Sequence, residues 1–510
     1  MENFFNYRNI HYNKFSSKIT LYSWNEKGER IIVTKPFRPY FYIEHPDGKD
    51  GISIFNTKLK KMEFDNAWKR SEYIKTCGIT RIFYNIKPEQ QFLIDNFYNT
   101  HENDDFNKHP LRIFYLDIET FSHTFPDITK AKDTINVINI FDSLENKFIV
   151  FGLEKDYQPK QDNVIYIKCK SEEELLLYFV KYWRKHFPDI VVGWNSEVFD
   201  IPYIINRMKI VFKDENFPKK LSPVGELNFR EKVINRFGDE NSKWLIKGVS
   251  LFDYMFIYKT FSQNLKSSYS LNYIGEEELG AGKLTYNAIS LTELAEKDWT
   301  TFVDYNIQDV QLIIDLEKKL HYMSTMRELA YLGLTPFEDA MGTIAMVGGA
   351  LASKALLKNR IIPTFVNKDV QSFTGGFVKQ PKRGLYENIV TFDLNSLYPN
   401  TMITLNISPE TKAGKILSNE NGKVKVEFIN KQQKEFTNEE FTKFIVDKKI
   451  AVSKANIMFI QSFKGICSEL ISPLYDKRKN IQKEINELEE KKNKIIKELN
   501  SLKASFRKSC

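Results

Sequence analysis

The stretch Leu111-Arg112-Ile113-Phe114-Tyr115-Leu116-Asp117-Ile118-Glu119-Thr120 decides how this 510-residue chain is read. A compact apolar run passes directly into two acids, which is a strand signal ending in carboxylates. Residues two apart on a strand face the same way, so Asp117 and Glu119 point to one side. Such a pair suits a hard divalent cation, Mg²⁺ or Mn²⁺, with water completing the coordination. An exposed acidic strand end is the plainer alternative.

Two further sites lie downstream. Ile190-Val191-Val192-Gly193-Trp194-Asn195 reads as a second strand, and Phe199-Asp200-Ile201-Pro202 as the helix start after it. Pro202 suits a first helical turn, so Asp200 reads nearly as well as a helix cap. In Tyr305-Asn306-Ile307-Gln308-Asp309, helical spacing joins Phe302, Tyr305, Asp309 and Ile313 on one face. An acid on a buried face needs a partner, and a metal is one. The three sites together fit a two-metal phosphodiesterase arrangement.

A fourth acid stands in Thr391-Phe392-Asp393-Leu394-Asn395-Ser396-Leu397-Tyr398-Pro399. Ile389 to Phe392 read as a short buried strand, and Ser396, Tyr398 and Pro399 break it and start a helix. Asp393 is then equally a cap or a ligand for a cation beside phosphate oxygens.

Composition limits the remaining choices. Hydrophobic content of 42% supports folded domains, and the length implies three or four of them. A net charge of +8 is compatible with a polyanionic partner. Cys77, Cys169, Cys467 and Cys510 stand far apart, which argues against a zinc site or a disulfide framework and favours a reducing compartment. With no leader-like start and no apolar run long enough to span a bilayer, the expected location is the cytoplasm, without a membrane partner.

The four acid sites stand in the order found in family B DNA polymerases. Asp117-Ile118-Glu119, Asn195-x-x-x-Phe199-Asp200 and Tyr305-x-x-x-Asp309 resemble the family's three exonuclease motifs, and Asp393 to Pro399 its first palm motif. Phe377-Val378-Lys379 and Asn406-Ile407-Ser408-Pro409-Glu410 are most similar to polymerases of the tailed-bacteriophage type. The resemblance implies a multidomain α/β architecture: a β-rich amino-terminal domain (1–106), a ribonuclease H-like exonuclease domain (107–320), a return to the first domain or linker (321–374), a partial palm (375–467) and a first fingers helix (468–510).

It also implies roles. Asp117, Glu119 and Asp309 would bind two exonuclease ions, Asp200 would assist from behind them, and Tyr305 would orient the attacking water. Asp393 and the Leu394 carbonyl would hold two palm ions, and the Ser396 and Leu397 amides would meet the triphosphate. Tyr398 would pack under the sugar and exclude ribonucleotides; simple core packing is the other reading. Arg478 matches a triphosphate-binding arginine, while Gln482 stands where relatives carry a basic residue. Gly375, Gly376 and Lys379 would contact template, with Phe373 replacing the family's tyrosine and with Lys382 and Arg383 nearby; a basic surface loop is the alternative. The run Lys232 to Ser250 reads as the exonuclease hairpin or as an ordinary surface hairpin.

From Pro473 onward a charged helix is expected, with Ser472 and Pro473 at its start and an apolar stripe of Ile481, Ile485, Leu488, Ile495, Leu499 and Leu502. The sequence contains no Lys-x-x-x-Asn-Ser-x-Tyr-Gly and no Asp-Thr-Asp motif. The expectation is therefore the amino-terminal part of a split or truncated polymerase, pairing with a carboxy-terminal chain through the stripe. Primer-template DNA, dNTPs and a sliding clamp are the other expected partners. The competing expectation is a stand-alone 3′-to-5′ exonuclease with a vestigial palm.

Overall fold

The computed structural model describes residues 5–78, 81–99, 108–122, 126–234, 240–262, 264–280, 282, 290–365, 376 and 378–509. Most of the stretch His101 to His109, whose polar composition predicts a linker, lies outside them, as do Phe373, Gly375, and Gly238 and Asp239 of the turn predicted at Gly238-Asp239-Glu240-Asn241.

The chain divides into two compact units, the first comprising 1–39, 64–71 and 86–349 and the second 40–63, 72–85 and 350–510. The stretch expected as one amino-terminal domain is thus shared between them.

In the first unit a mixed six-stranded sheet runs in the order Val164–Cys169, Lys147–Leu153, Ile135–Asp142, Ile113–Thr120, Ile190–Gly193, Ser250–Asp253. Ile113–Thr120 pairs antiparallel with Ile135–Asp142 and parallel with Ile190–Gly193. Alternation along it sends Phe114, Leu116 and Ile118 into a core shared with the helices Glu172–His186 and Asp200–Phe212. Asp117 and Glu119 therefore point to the opposite face, where the helix Trp299–Leu320 packs on this strand and its neighbour. A three-stranded antiparallel sheet, Phe5–Asn13, Lys18–Trp24 and Arg30–Pro36, belongs to the same unit. Arg8 and Arg30 from it share the buried Asp189, at 2.5 and 2.9 Å.

In the second unit Pro363–Phe365 pairs antiparallel with Arg81–Phe83 at the edge of a five-stranded sheet. Another five-stranded sheet folds over the helix Asn438–Asp447, packing Val424, Val426, Phe436 and Met458 against Phe441 and Phe444.

Two expectations are corrected here. Ile389 to Phe392 are not a buried strand: among the described residues they pair with no other strand, and Phe392 is 91% exposed. Apolar, β-branched side chains favour a strand only when a neighbour takes up its backbone groups. The long helix runs Ile466–Ser509, so it starts seven residues before Pro473 and holds that proline inside. Its first turn is secured from a distance. Ile466 N donates to Glu410 Oε1 at 2.5 Å, Cys467 N to Ser408 Oγ at 3.3 Å, and Gly465 N to Asn406 Oδ1 at 2.8 Å. Those capped amides and the Glu410 charge at the helix amino terminus offset the hydrogen bond that Pro473 removes.

Candidate active site

The exonuclease-type acids converge. Carboxylate oxygens of Asp117, Glu119 and Asp309 lie within 4.8 Å of one another, Asp309 buried and the other two half-buried. Three carboxylates at that spacing repel one another, and an all-oxygen donor set is what Mg²⁺ or Mn²⁺ takes. The donors present therefore fit such an ion. Tyr305, also buried, stands one helical turn before Asp309 on the same helix.

Asp200 is not part of that trio. It is the first residue of its helix, yet its Oδ1 accepts from Ile118 N at 3.1 Å, the amide between Asp117 and Glu119. The carboxylate thus braces the strand that carries Asp117 and Glu119, and it also takes the amide of its own residue in the first helical turn. Burial, with the nearby charges of Asp253 and Asp309, raises its pKa to about 7 despite those two amide bonds.

Sequence reasoning missed several neighbours. Asn306 Nδ2 donates to Asp117 Oδ2 at 2.6 Å. Asp253 accepts from Asn195 N at 3.0 Å and caps the helix Tyr254–Phe261; burial and the Glu197 charge push it up to about 7. Glu197, inside the second motif, pairs with Lys243 at 2.8 Å. That links the motif to the antiparallel hairpin Leu227–Ile234 and Glu240–Ile246, which begins five residues before the Lys232 to Ser250 run expected as a hairpin. Gly193 is required by packing, because a Cβ there would stand 2.5 Å from Ser196 Cβ and 2.7 Å from the Leu116 carbonyl. A second group of donors, Asp142, Glu145 and His186, is already served by a cation. Arg112 reaches Glu145 at 3.1 Å and His186 Nδ1 at 2.5 Å.

In the second unit the palm-type residues gather on an open surface. Asp393 lies three residues before Ser396, the residue flanking the helix Leu397–Thr404, so it is not that helix's cap. Ser396 sits in the left-handed region at φ 53° and receives Arg478 Nη1 on its Oγ at 3.1 Å. Asn400 donates to Tyr475 Oη at 3.2 Å, a second link from this short helix to the long one. Leu394 and Leu397 are exposed, and Tyr398 is 75% exposed. Gly376 is next to it: a Cβ there would lie 3.6 Å from the Tyr398 hydroxyl. Lys379, Lys382 and Arg383 are exposed. The expected stripe is also exposed at Ile481, Ile485, Leu488, Ile495 and Leu499.

This geometry defines a two-unit α/β protein in which three carboxylates that could hold a divalent ion converge in the first unit, and an acid-bearing loop meets a long basic helix in the second. Comparison with known proteins narrows the class. Residues 82–274 match the family described as DNA polymerase family B, exonuclease domain, and residues 341–503 match DNA polymerase family B. The chain belongs to the family B DNA polymerases, and its mixed α/β build, with exonuclease region and partial palm and fingers, is that family's. It is similar to the DNA-directed DNA polymerase of Escherichia phage RB69, 33% identical over 329 residues, 60% of this chain and 36% of that one. The enzyme of Enterobacteria phage T4 is 31% identical over 328 residues, again 60% and 36%. DNA polymerase 1 of Pyrococcus abyssi is 26% identical over 506 residues, 91% of this chain and 58% of that one. The matches thus span about a third of the phage relatives' length and 58% of the archaeal one's.

Proposed function

We propose that this chain removes nucleotides from DNA 3′ ends in a metal-dependent reaction and supplies part of the nucleotide-adding site of a DNA-directed DNA polymerase. The observation that carries the first activity is the gathering of Asp117, Glu119 and Asp309. They would hold the divalent ions, which when bound lower the pKa of a water and stabilise attacking and leaving oxygens. Asp200 holds the strand between the two ligands in place, and Tyr305 orients the water.

In the second site Asp393 and the Leu394 carbonyl take palm ions. The Ser396 and Leu397 amides and Arg478 take the triphosphate, and Tyr398 lies against the sugar. Gly375, Gly376 and Lys379 follow the template. The Arg478–Ser396 contact supports this reading. One carboxylate does not hold two ions, so further polymerase sequence, on the same or a second chain, would supply the rest of the palm. The exposed apolar side chains Ile389, Val390, Phe392 and Leu394, with the 481–499 stripe, form the surface it would cover. Primer-template DNA and dNTPs are the substrates, a sliding clamp is a further partner, and the cytoplasm is the site of action. Among the described residues no helix is long and apolar enough to cross a membrane.

Degradation of single-stranded DNA with and without Mg²⁺, for the native chain and Asp117→Ala, tests the first activity; absence of metal-dependent loss of substrate defeats it. Primer extension after co-expression with candidate carboxy-terminal chains tests the second. Extension by residues 1–510 alone would refute the need for further palm ligands.

A further inference from the structure

We infer that Asn306 is a positioning residue for the exonuclease carboxylates, setting the orientation of Asp117 through its side-chain amide; this rests on the exonuclease reading above. Asn306 lies on the helix Trp299–Leu320 between Tyr305 and Asp309, and its side chain is fully buried. Its Nδ2 donates to Asp117 Oδ2 at 2.6 Å. An ionised carboxylate only accepts, so the NH₂ end of the amide must face it. The bond occupies one lone-pair direction and stops the Asp117 carboxylate from turning away from Glu119 and Asp309, the direction in which mutual repulsion drives it.

The helix backbone that carries this side chain is held in turn. Asn139 Nδ2 donates to the main-chain carbonyl of Asn306 at 3.4 Å, and Asn139 is the register partner of Asp117 on the adjacent strand. Strand, neighbouring strand and helix are thus tied together beside the Asp117 carboxylate. Among the described residues, the Oδ1 atoms of Asn306 and Asn139 are buried and accept no hydrogen bond. A position chosen for packing alone avoids that cost by carrying an apolar side chain. Partners that orient a metal-binding carboxylate act on metal affinity, whereas a position that only packs acts on stability.

The test uses the full chain with Asn306→Ala and Asn139→Ala. Three quantities are measured: Mn²⁺ affinity of the metal-free protein by the electron paramagnetic resonance of free Mn²⁺, the Mg²⁺ concentration giving half-maximal degradation of single-stranded DNA, and the thermal midpoint without metal. Asn306→Ala is expected to bind Mn²⁺ about 10–100-fold more weakly, to need correspondingly more Mg²⁺, and to recover most of its rate at saturating metal. Native Mn²⁺ affinity and an unchanged Mg²⁺ requirement in the folded variant overturn the inference. If Asn306→Ala does not fold, Asn139→Ala decides: it loosens Asn306 without touching Asp117, and a smaller shift in the same direction is expected, while unchanged Mn²⁺ affinity overturns the inference. Should the native chain bind no Mn²⁺ and degrade no DNA, the exonuclease reading fails and this inference with it; native binding left intact by the substitutions sinks the inference alone.

Discussion

The Arg478 guanidinium reaches Ser396 Oγ at 3.1 Å, joining the long helix to the loop that follows Asp393. Ser396 is in the left-handed region just before a helix, so Arg478 stands where that helix's first free amides begin. A phosphate set there meets amides and guanidinium together. Arg478→Ala is expected to weaken dNTP binding by about 10–100-fold, the loss of one or two charge-assisted hydrogen bonds. Titration of a fluorescent dNTP with Mg²⁺ checks this, and native affinity in the variant would remove Arg478 from the site. Exonuclease activity should not change.

Crowding Asp117, Glu119 and Asp309 within 4.8 Å costs stability that a bound cation returns. Mg²⁺ or Mn²⁺ should raise the thermal midpoint of the native chain. Asp309→Asn should raise the metal-free midpoint, shrink the metal-induced increment and cut exonuclease rate by more than about a hundredfold. An equal increment in the variant would mean that the ions bind elsewhere.

Asp253 makes stability depend on pH. Its folded pKa, about 7, lies above its ordinary 3.8, chiefly through burial and then through the Glu197 charge. Between those values the folded state holds more protons than the unfolded one, so stability is highest near pH 4 and falls as pH rises to about 7. Asp253→Asn keeps an oxygen for the three backbone amides but cannot ionise. Urea unfolding between pH 4 and 8 should show a shallower decline in the variant; parallel curves would contradict the assignment.

Asn406, Ser408 and Glu410 hold the start of the Ile466–Ser509 helix. Asn406 Nδ2 also reaches the carbonyls of Ile460 and Phe463, at 2.7 and 2.8 Å. Glu410→Ala should cost about 1–2 kcal/mol through the lost cap and helix-terminus charge, and Asn406→Ala about 1–3 kcal/mol through several unmet buried bonds. Both should lower the unfolding transition of the unit containing 350–510 and leave exonuclease rate intact. No change in that transition would show that the helix start does not depend on the clamp.

Much of the exonuclease-type site was readable in the chain because its signals are local. Alternation in Leu111 to Thr120 and the 3.6-residue spacing of Phe302, Tyr305, Asp309 and Ile313 are imposed by the backbone itself, and the helix and strand carrying them lie as expected. The same local signal misled at Ile389 to Phe392, where β-branched and aromatic side chains have no adjacent strand among the described residues. It misled again at Pro473, read as a helix start although the amides of the true first turn are capped by residues nearly sixty positions earlier.

The sequence by itself determined which acids this protein carries, in what order, and which face of strand or helix each one occupies, since covalent geometry sets those periods. Tertiary structure alone decided that Asp117, Glu119 and Asp309 meet, that Asp200 reaches across to brace a strand, and that Asn306 grips Asp117. Those outcomes depend on strand register and helix packing across separations of up to 192 positions, that of Asp117 from Asp309. No periodicity reaches that far, and only the burial of the shared core brings the partners within hydrogen-bonding range.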